Sequence, residues 1–299
     1  MGKRGPSAAA FAATALAVAA SVALHAQARQ RALYVTVLDK AGAPLADVTP
    51  ADLVVREDNV AREILRVVPA IEPIYLALLV DNSEAAEPYI ANYRRALPQF
   101  INAILDASPE RARHQISLIG LAARPTIITQ YTSDATELVR GVNRLFSQPE
   151  TGTYLLDAVD AVTRGYMRGR VARPVIVSVV TAGPDYSDRQ HTQVLEALRA
   201  SGAAFHAVTL GLPVNLSLDR GVMLERGTRE SGGNYDNLLS GSALPDRMMR
   251  LAAELTHQYR VVYARPQSLV PPERITVDGA RPDVTVRGTV PIQAEQDRP

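Results

Sequence analysis

Ile74-Tyr75-Leu76-Ala77-Leu78-Leu79-Val80 is an unbroken apolar run, and it stops at Asp81-Asn82-Ser83-Glu84-Ala85. A half-buried strand alternates apolar with polar residues. A run that is apolar at every position suits a strand covered on both faces by helices, as in a parallel sheet. Asp81 and Ser83 then place a carboxylate and a hydroxyl at the carboxyl edge of that sheet, where open α/β folds bind their ligands. A second run of the same kind, Pro174 to Thr181, ends in Ala182-Gly183-Pro184-Asp185.

Between and beyond these runs the pattern alternates strand with helix. Ile90, Tyr93, Leu97, Ile101 and Ile104 recur at helical spacing and predict a helix up to Ala107, with Pro98 expected to kink it. Strands are expected at Gln115 to Leu121 and Thr126 to Tyr131, and helices from Asp134 to Leu145 and after a Thr153 cap. Further on come a helix carrying Val194, Leu195 and Leu198, and a strand from Ala203 to Leu210. A helix from near Leu218 is closed by Gly232-Gly233, and a last one shows Leu244, Met248, Leu251 and Leu255 on one face. The alternation predicts an α/β fold, a doubly wound, mostly parallel sheet with helices on both faces.

The two ends read differently. Leu33, Val35 and Val37 alternate as in a strand, and Thr49-Pro50-Ala51-Asp52 has the form of a helix start. Leu53 to Glu57, a turn at Asp58-Asn59, and Ala61 to Val68 read as a hairpin. Short strands return at Tyr259 to Ala264, Arg274 to Val277 and Val284 to Arg287. Neither end has enough strands to be stable alone. The expectation is a small β-domain built from the two chain ends, with the α/β domain inserted between them. The boundaries are a signal peptide at 1–28, β-domain at 29–70, α/β domain at 71–257, β-domain again at 258–290, and a disordered tail at 291–299.

Composition sets limits on function. Apolar residues make up 47% and charged residues 21% of the 299, which is enough for a globular core. The absence of cysteine excludes disulfides, thiolate metal sites and cysteine nucleophiles. Lys3 and Arg4, the apolar stretch Ala8 to Leu24, and Ala26-Gln27-Ala28 form the three-part pattern of a secretory signal. Export to the periplasm or the extracellular space follows, with no membrane span in the mature chain. Cleavage after Ala28 removes two of the 32 basic residues and none of the 31 acidic ones, giving a balance of −1. With no block of like charge, nucleic acid is not an expected partner.

Phosphate-loop, dinucleotide-binding and nucleophile-elbow motifs do not occur. The histidines His114, His191, His206 and His257 lack zinc spacing, and His206 is expected to be a satisfied core residue. Three segments are expected to converge at the sheet edge, namely Asp81 to Ala85, Thr151 to Asp157, and Thr181 to Asp185. Here the chain resembles the von Willebrand factor type A family, in particular its exported bacterial branch. The resemblance rests on Val80-Asp81-Asn82-Ser83, on Gly152-Thr153-Tyr154-Leu155-Leu156-Asp157-Ala158, and on Glu230-Ser231-Gly232-Gly233-Asn234-Tyr235. It rests also on Val37 to Pro44 followed by Asp47 to Asp58.

That family carries a metal-ion-dependent adhesion site of pattern Asp-x-Ser-x-Ser with a distant Thr and a distant Asp. The resemblance assigns Asp81, Ser83 and Thr153 as metal ligands, whereas the second Ser falls on Ala85 and the second Asp on Ala182. It therefore implies a degenerate site, holding Mg²⁺ or another divalent cation weakly, with Glu84 and Asp185 as substitute ligands. Asp81, Ser83 and Thr153 read alternatively as helix caps. The function expected is a non-enzymatic, adhesion-type interaction module with a protein partner, docked on a rim of Asn82, Glu84, Tyr154 and Asp185. The alternatives are a hydrolase or phosphotransferase using Asp81, and a metal-independent structural envelope component.

Overall fold

The structure, a computed structural model, describes residues 28–109, 113–212, 217–266, 270, 272 and 274–290. The expected signal sequence before Ala28 and the tail at 291–299 lie outside the described residues. No helix among the described residues is long and apolar enough to cross a membrane.

The amino-terminal strands are β1 (Ala28–Leu38), β2 (Leu53–Glu57), β3 (Val60–Arg62) and β4 (Ile64–Pro69). Next come β5 (Tyr75–Val80), α1 (Ile90–Asp106), β6 (Gln115–Gly120), β7 (Thr126–Thr132), α2 (Ala135–Asn143) and α3 (Leu155–Gly169). They are followed by β8 (Pro174–Thr181), α4 (His191–Ser201), β9 (Ala204–Leu210) and α5 (Leu218–Val222), which runs on through a π turn at Met223–Gly227 to Thr228–Glu230. The chain closes with β10 (Tyr235–Leu238), α6 (Leu244–Thr256), β11 (Tyr259–Pro266), β12 (Ile275–Gly279) and β13 (Thr285–Thr289).

Six strands form the central sheet in the order β10-β9-β8-β5-β6-β7, parallel except for β7. Its interior strands bury both faces, as the apolar runs require. Leu76, Leu78 and Val80 pack under α1, α2 and α6, while Ala77 and Leu79 pack under α3, α4 and the π turn. Each Leu or Val among them contributes about 1.5–3 kcal/mol when withdrawn from water. The winding starts at β5, proceeds outward to β7, then crosses back to β8 and continues to β10. The direction reverses between β5 and β8, which makes their carboxyl ends the switch point of the fold.

The two chain ends form antiparallel sheets in the orders β13-β1-β11-β4 and β12-β2-β3. Leu33 lies opposite Val261, and Val37 opposite Val286, so strands from the beginning and end of the chain share one ladder. Leu33, Val35, Val55, Val261 and Tyr263 fill the core between the sheets. The hairpin turn at Asp58 and Asn59 has positive φ at both positions (47° and 67°), as a tight two-residue turn demands.

Three local expectations are corrected. Ala61 to Val68 is not one strand: β3 pairs with β2, and the chain then switches sheets so that β4 pairs with β11. The switch occurs at Glu63, whose carbonyl accepts the Ala264 N–H at 2.9 Å. Such a corner lets one segment contribute to both sheets of a sandwich. The helix expected from Thr49 is a single 3₁₀ turn, Pro50–Asp52, because Leu53 must extend at once to pair with Gly279. Gly232, with φ of 81°, does end the long helix, but Gly233 has another task. A Cβ there would lie 1.8 Å from the Phe205 carbonyl oxygen, so only glycine permits β9 and this turn to touch.

The chain passes between the two units twice, before β5 and after α6, and Arg173 holds both crossings. This side chain is 2% exposed. Its Nη1 donates to the Glu72 carbonyl (3.1 Å), and its Nη2 donates to the Leu255 carbonyl (2.6 Å) and to Gln258 Oε1 (2.8 Å). The guanidinium stacks over the Tyr34 ring, 5.3 Å from its centroid, and burial lowers its pKa to about 10. Gln258 passes the connection on to Thr36 Oγ1 in β1.

Candidate functional site

Backbone contacts close the three sheet-edge loops on one another. Gln148 N donates to the Asn82 carbonyl at 2.9 Å, Thr153 N to the Pro184 carbonyl at 3.0 Å, and Tyr186 N to the Thr153 carbonyl at 2.8 Å. A Cβ on Gly183 would fall 2.4 Å from the Ala85 Cβ, so the first and third loops touch there. Asp81, Ser83, Thr153 and Thr181 are thereby gathered at the switch point between β5 and β8.

Asp81 is fully buried. Its Oδ1 accepts the Ser83 N–H at 2.9 Å, and its Oδ2 accepts the Thr181 N–H at 3.1 Å and the Thr181 hydroxyl at 2.6 Å. Thr181 is expected from the sequence at the sheet edge but not as a site residue, yet it is the principal partner of the central carboxylate. Nothing in a run of β-branched residues distinguishes it; only its position opposite Asp81 does.

The hydroxyls behave otherwise. Ser83 and Thr153 are fully buried, and neither Ser83 Oγ nor Thr153 Oγ1 has a hydrogen-bond partner. The capping alternative is thus corrected for both. Ser83 occupies the N-cap of the 3₁₀ helix Glu84–Tyr89 without a side-chain bond, and the N-cap of α3 is Tyr154. The α3 amides are capped from across the cleft: Leu155 N donates to Asp185 Oδ2 (3.3 Å) and Leu156 N to Ser187 Oγ (3.0 Å). A third buried hydroxyl, that of Tyr93 on α1, also lacks a partner. Burial pushes its pKa well above the usual value, with Asp81 adding in the same direction. Leaving a buried hydroxyl unpaired costs about 1–3 kcal/mol.

The remaining expected residues are placed as follows. Asn82 is buried and works as a brace rather than a rim residue, since its Oδ1 accepts the Ala122 N–H at 3.0 Å. Glu84 is exposed, and its Oε2 accepts the Glu150 N–H at 3.0 Å. Tyr154 is half-buried and meets the ring of Tyr186 edge-on at 6.4 Å. Asp185 is committed to structure, because its Oδ1 accepts the Ser187 N–H (2.9 Å) while Oδ2 caps α3. Desolvation raises its pKa above the usual carboxylate value, against the opposing bonds from Ser187. Two exposed aromatic side chains not foreseen, Phe146 (65%) and Tyr186 (56%), belong to residues whose backbones bond to Asn82 and Thr153. His206 is buried as expected but not satisfied, for both ring nitrogens lack partners and burial drives its pKa well below normal.

Arg220 was not foreseen either. It is 0% exposed, and its guanidinium lies against the third loop, Nη1 donating to the Gly183 carbonyl at 2.6 Å and Nη2 to the Thr181 carbonyl. Its Nε has no partner. Burial lowers its pKa, while the charges of Asp185 and Asp81 favour its protonated form.

These residues do not make a complete shell for a resident divalent ion. The two unpaired hydroxyls have the chemistry of hard-cation ligands, but Asp81 is the single carboxylate at a ligand position and already accepts three hydrogen bonds. Asp185 is engaged elsewhere, Ala85 and Ala182 have no side-chain oxygen, and Arg220 brings a positive charge to the same carboxylates. Among the described residues no group of three or more His, Asp or Glu is placed to hold a metal.

Comparison with known proteins accords with this architecture. Residues 76–221 match the family profile of the von Willebrand factor type A domain. Comparison with curated proteins gives no match. Among solved structures, a von Willebrand factor type A protein from Catenulispora acidiphila superposes with a TM-score of 0.50 at 10% identity, covering 89% of this chain and 74% of that one. Proximal thread matrix protein 1 from the mussel byssus, with a zinc-occupied metal-ion-dependent adhesion site, gives 0.48 at 14% identity over 67% of this chain and 50% of that one. A mutant of the PilB minor pilin from Streptococcus sanguinis gives 0.48 at 9% identity, covering 63% and 62%. The profile match spans β5 through α5, the stretch that builds the cleft. The chain therefore carries, at residues 76–221, a domain of the von Willebrand factor type A family.

Proposed function

We propose that the protein is an exported, non-enzymatic, adhesion-type module whose protein partner docks on the sheet edge over Asp81, Ser83 and Thr153. The observation that carries this reading is a pair of exposed aromatic side chains at the sheet edge, Phe146 and Tyr186, whose backbones bond to Asn82 and Thr153 above the buried, unpaired Ser83 and Thr153 hydroxyls. Exposed aromatic side chains supply the kind of anchor that a protein–protein hot spot uses. Glu84 and Tyr154 extend the rim, and Asp185 supports it from beneath. Mg²⁺ binds no tighter than about the millimolar range, because one carboxylate compensates poorly for dehydrating that ion. The competing hydrolase reading suffers from the state of Asp81, a fully buried carboxylate held by three hydrogen bonds and unable to reach a substrate.

The test is capture from envelope extract with the natural protein and with a Phe146→Ser, Tyr186→Ser variant, each in Mg²⁺ and in chelator. A partner retained by the natural protein and lost at least about tenfold, or about 1.4 kcal/mol, by the variant supports the reading. Equal retention by both overturns it. For the metal, Ala85→Ser combined with Ala182→Asp is expected to tighten Mg²⁺ binding by at least about tenfold in calorimetry.

A further inference from the structure

We propose that Arg220 is the resident positive charge of this sheet edge, a built-in cation that keeps the site formed without a divalent ion. The inference deepens the reading of the cleft as a binding site, although its test needs no partner.

The geometry gives Arg220 control of the third loop. Nη1 holds the Gly183 carbonyl and Nη2 the Thr181 carbonyl, one residue on either side of Ala182. Thr181 in turn makes two of the three hydrogen bonds on Asp81, and Gly183 N donates to the Thr181 hydroxyl at 3.3 Å. Beyond Gly183 the same loop carries Asp185, whose carboxylate caps α3. One guanidinium therefore fixes the loop through which Asp81 is held and Asp185 is presented.

The charge count points the same way. At the same sheet edge Asp81 is fully buried and Asp185 half-buried, and a carboxylate withdrawn from water demands a counter-charge or a proton. A metal would supply that charge where the ligand shell is complete. Here Ala182 offers no ligand, while a guanidinium reaches the two carbonyls flanking it. Arg220 is brought there by α5, whose N-cap Ser217 accepts the Arg220 N–H at 3.3 Å. An arginine suits the task because it retains its proton under desolvation that would neutralise a lysine, and because its planar fork spans two carbonyls.

A fixed cation and a bound one substitute for each other, so removing the first creates a need for the second. The experiment follows thermal stability in Mg²⁺ and in chelator, with Mg²⁺ titration calorimetry, for the natural protein, Arg220→Met and Arg220→Lys. The natural protein is expected to melt at the same temperature in both buffers, and Arg220→Lys, whose amine loses its proton more readily when desolvated and cannot span both carbonyls, is expected to fall between it and Arg220→Met. Arg220→Met is expected to melt lower in chelator, to recover in Mg²⁺, and to bind Mg²⁺ at least about tenfold more tightly than the natural protein. A residue that only pins the loop would lower the melting temperature equally in both buffers and leave Mg²⁺ affinity unchanged, which overturns the proposal. Should Arg220→Met fold in neither buffer, the natural protein decides the matter. Stability that rises with Mg²⁺ contradicts a built-in cation, and insensitivity supports it.

Discussion

Two buried arginines lie at opposite ends of the central sheet, and their surroundings differ. Arg173, just before β8, finds an acceptor for each of its nitrogens and an aromatic face to stack on. Arg220, under the far end of β8, leaves Nε unpaired and sits below a cleft where Ser83 and Thr153 are unpaired as well. At the amino edge of the sheet Arg173 is a saturated joint between two units, although Glu72 Oε2 beside it has no partner. The carboxyl edge leaves buried polar groups unpaired, which destabilises the chain locally.

The strongest attempt to break this contrast is Arg173→Met. It strands the Glu72 and Leu255 carbonyls and Gln258 Oε1 without a donor, and a loss of roughly 3 kcal/mol or more is expected in denaturant unfolding. A loss under about 1 kcal/mol would show that the joint is not the saturated element described.

Acid should weaken the same edge. His114 Nδ1 accepts the Ile74 N–H at 3.0 Å, and burial, then Arg173 and Arg113, depress its pKa from 6.5 to about 4. Because the native state favours the neutral ring, this contribution is complete above pH 6.5 and is lost as pH falls towards 4. Melting temperatures measured across that window should decline. His114→Asn, whose amide oxygen can accept the same N–H, should flatten the His114 part of the decline.

The smallest effect tests the other edge. Ser83→Ala and Thr153→Val remove hydroxyls that nothing in the protein satisfies, so each should be neutral or should stabilise by up to about 1 kcal/mol. A loss of 2 kcal/mol for either would mean that its hydroxyl is structurally engaged after all, and the contrast between the edges would narrow.

The sequence made some of this legible and hid the rest for physical reasons. Interior strands β5 and β8 show as continuous apolar runs because both of their faces are covered. Asp81 and Ser83 show because they interrupt such a run. The division of Ala61 to Val68 into β3 and β4 leaves no mark, since a strand that changes sheets keeps its alternation. Thr153 looks like a cap because it precedes a helix, but the capping groups, Asp185 and Ser187, lie some 30 residues away and are matched to α3 only in space. Arg220 reads as one more basic residue of a polar helix. Its contacts with Thr181 and Gly183 cross 39 and 37 residues, a separation at which local pattern carries no signal.

The shared ladder of chain beginning and chain end bears on how the molecule would meet mechanical load. β1 and β13 run antiparallel with Tyr34 opposite Thr289, so the amino end of one strand and the carboxyl end of the other leave the sheet on the same side. Tension applied through Ala28 and Val290 would pull at the β1–β11 and β13–β1 ladders, peeling their hydrogen bonds one after another. The central sheet meets that load path through β13, where Thr289 Oγ1 donates to the Ser231 carbonyl at 2.9 Å and Arg287 pairs with Glu254. A pull at either end would thus load the terminal ladders first and reach the central sheet only through these contacts.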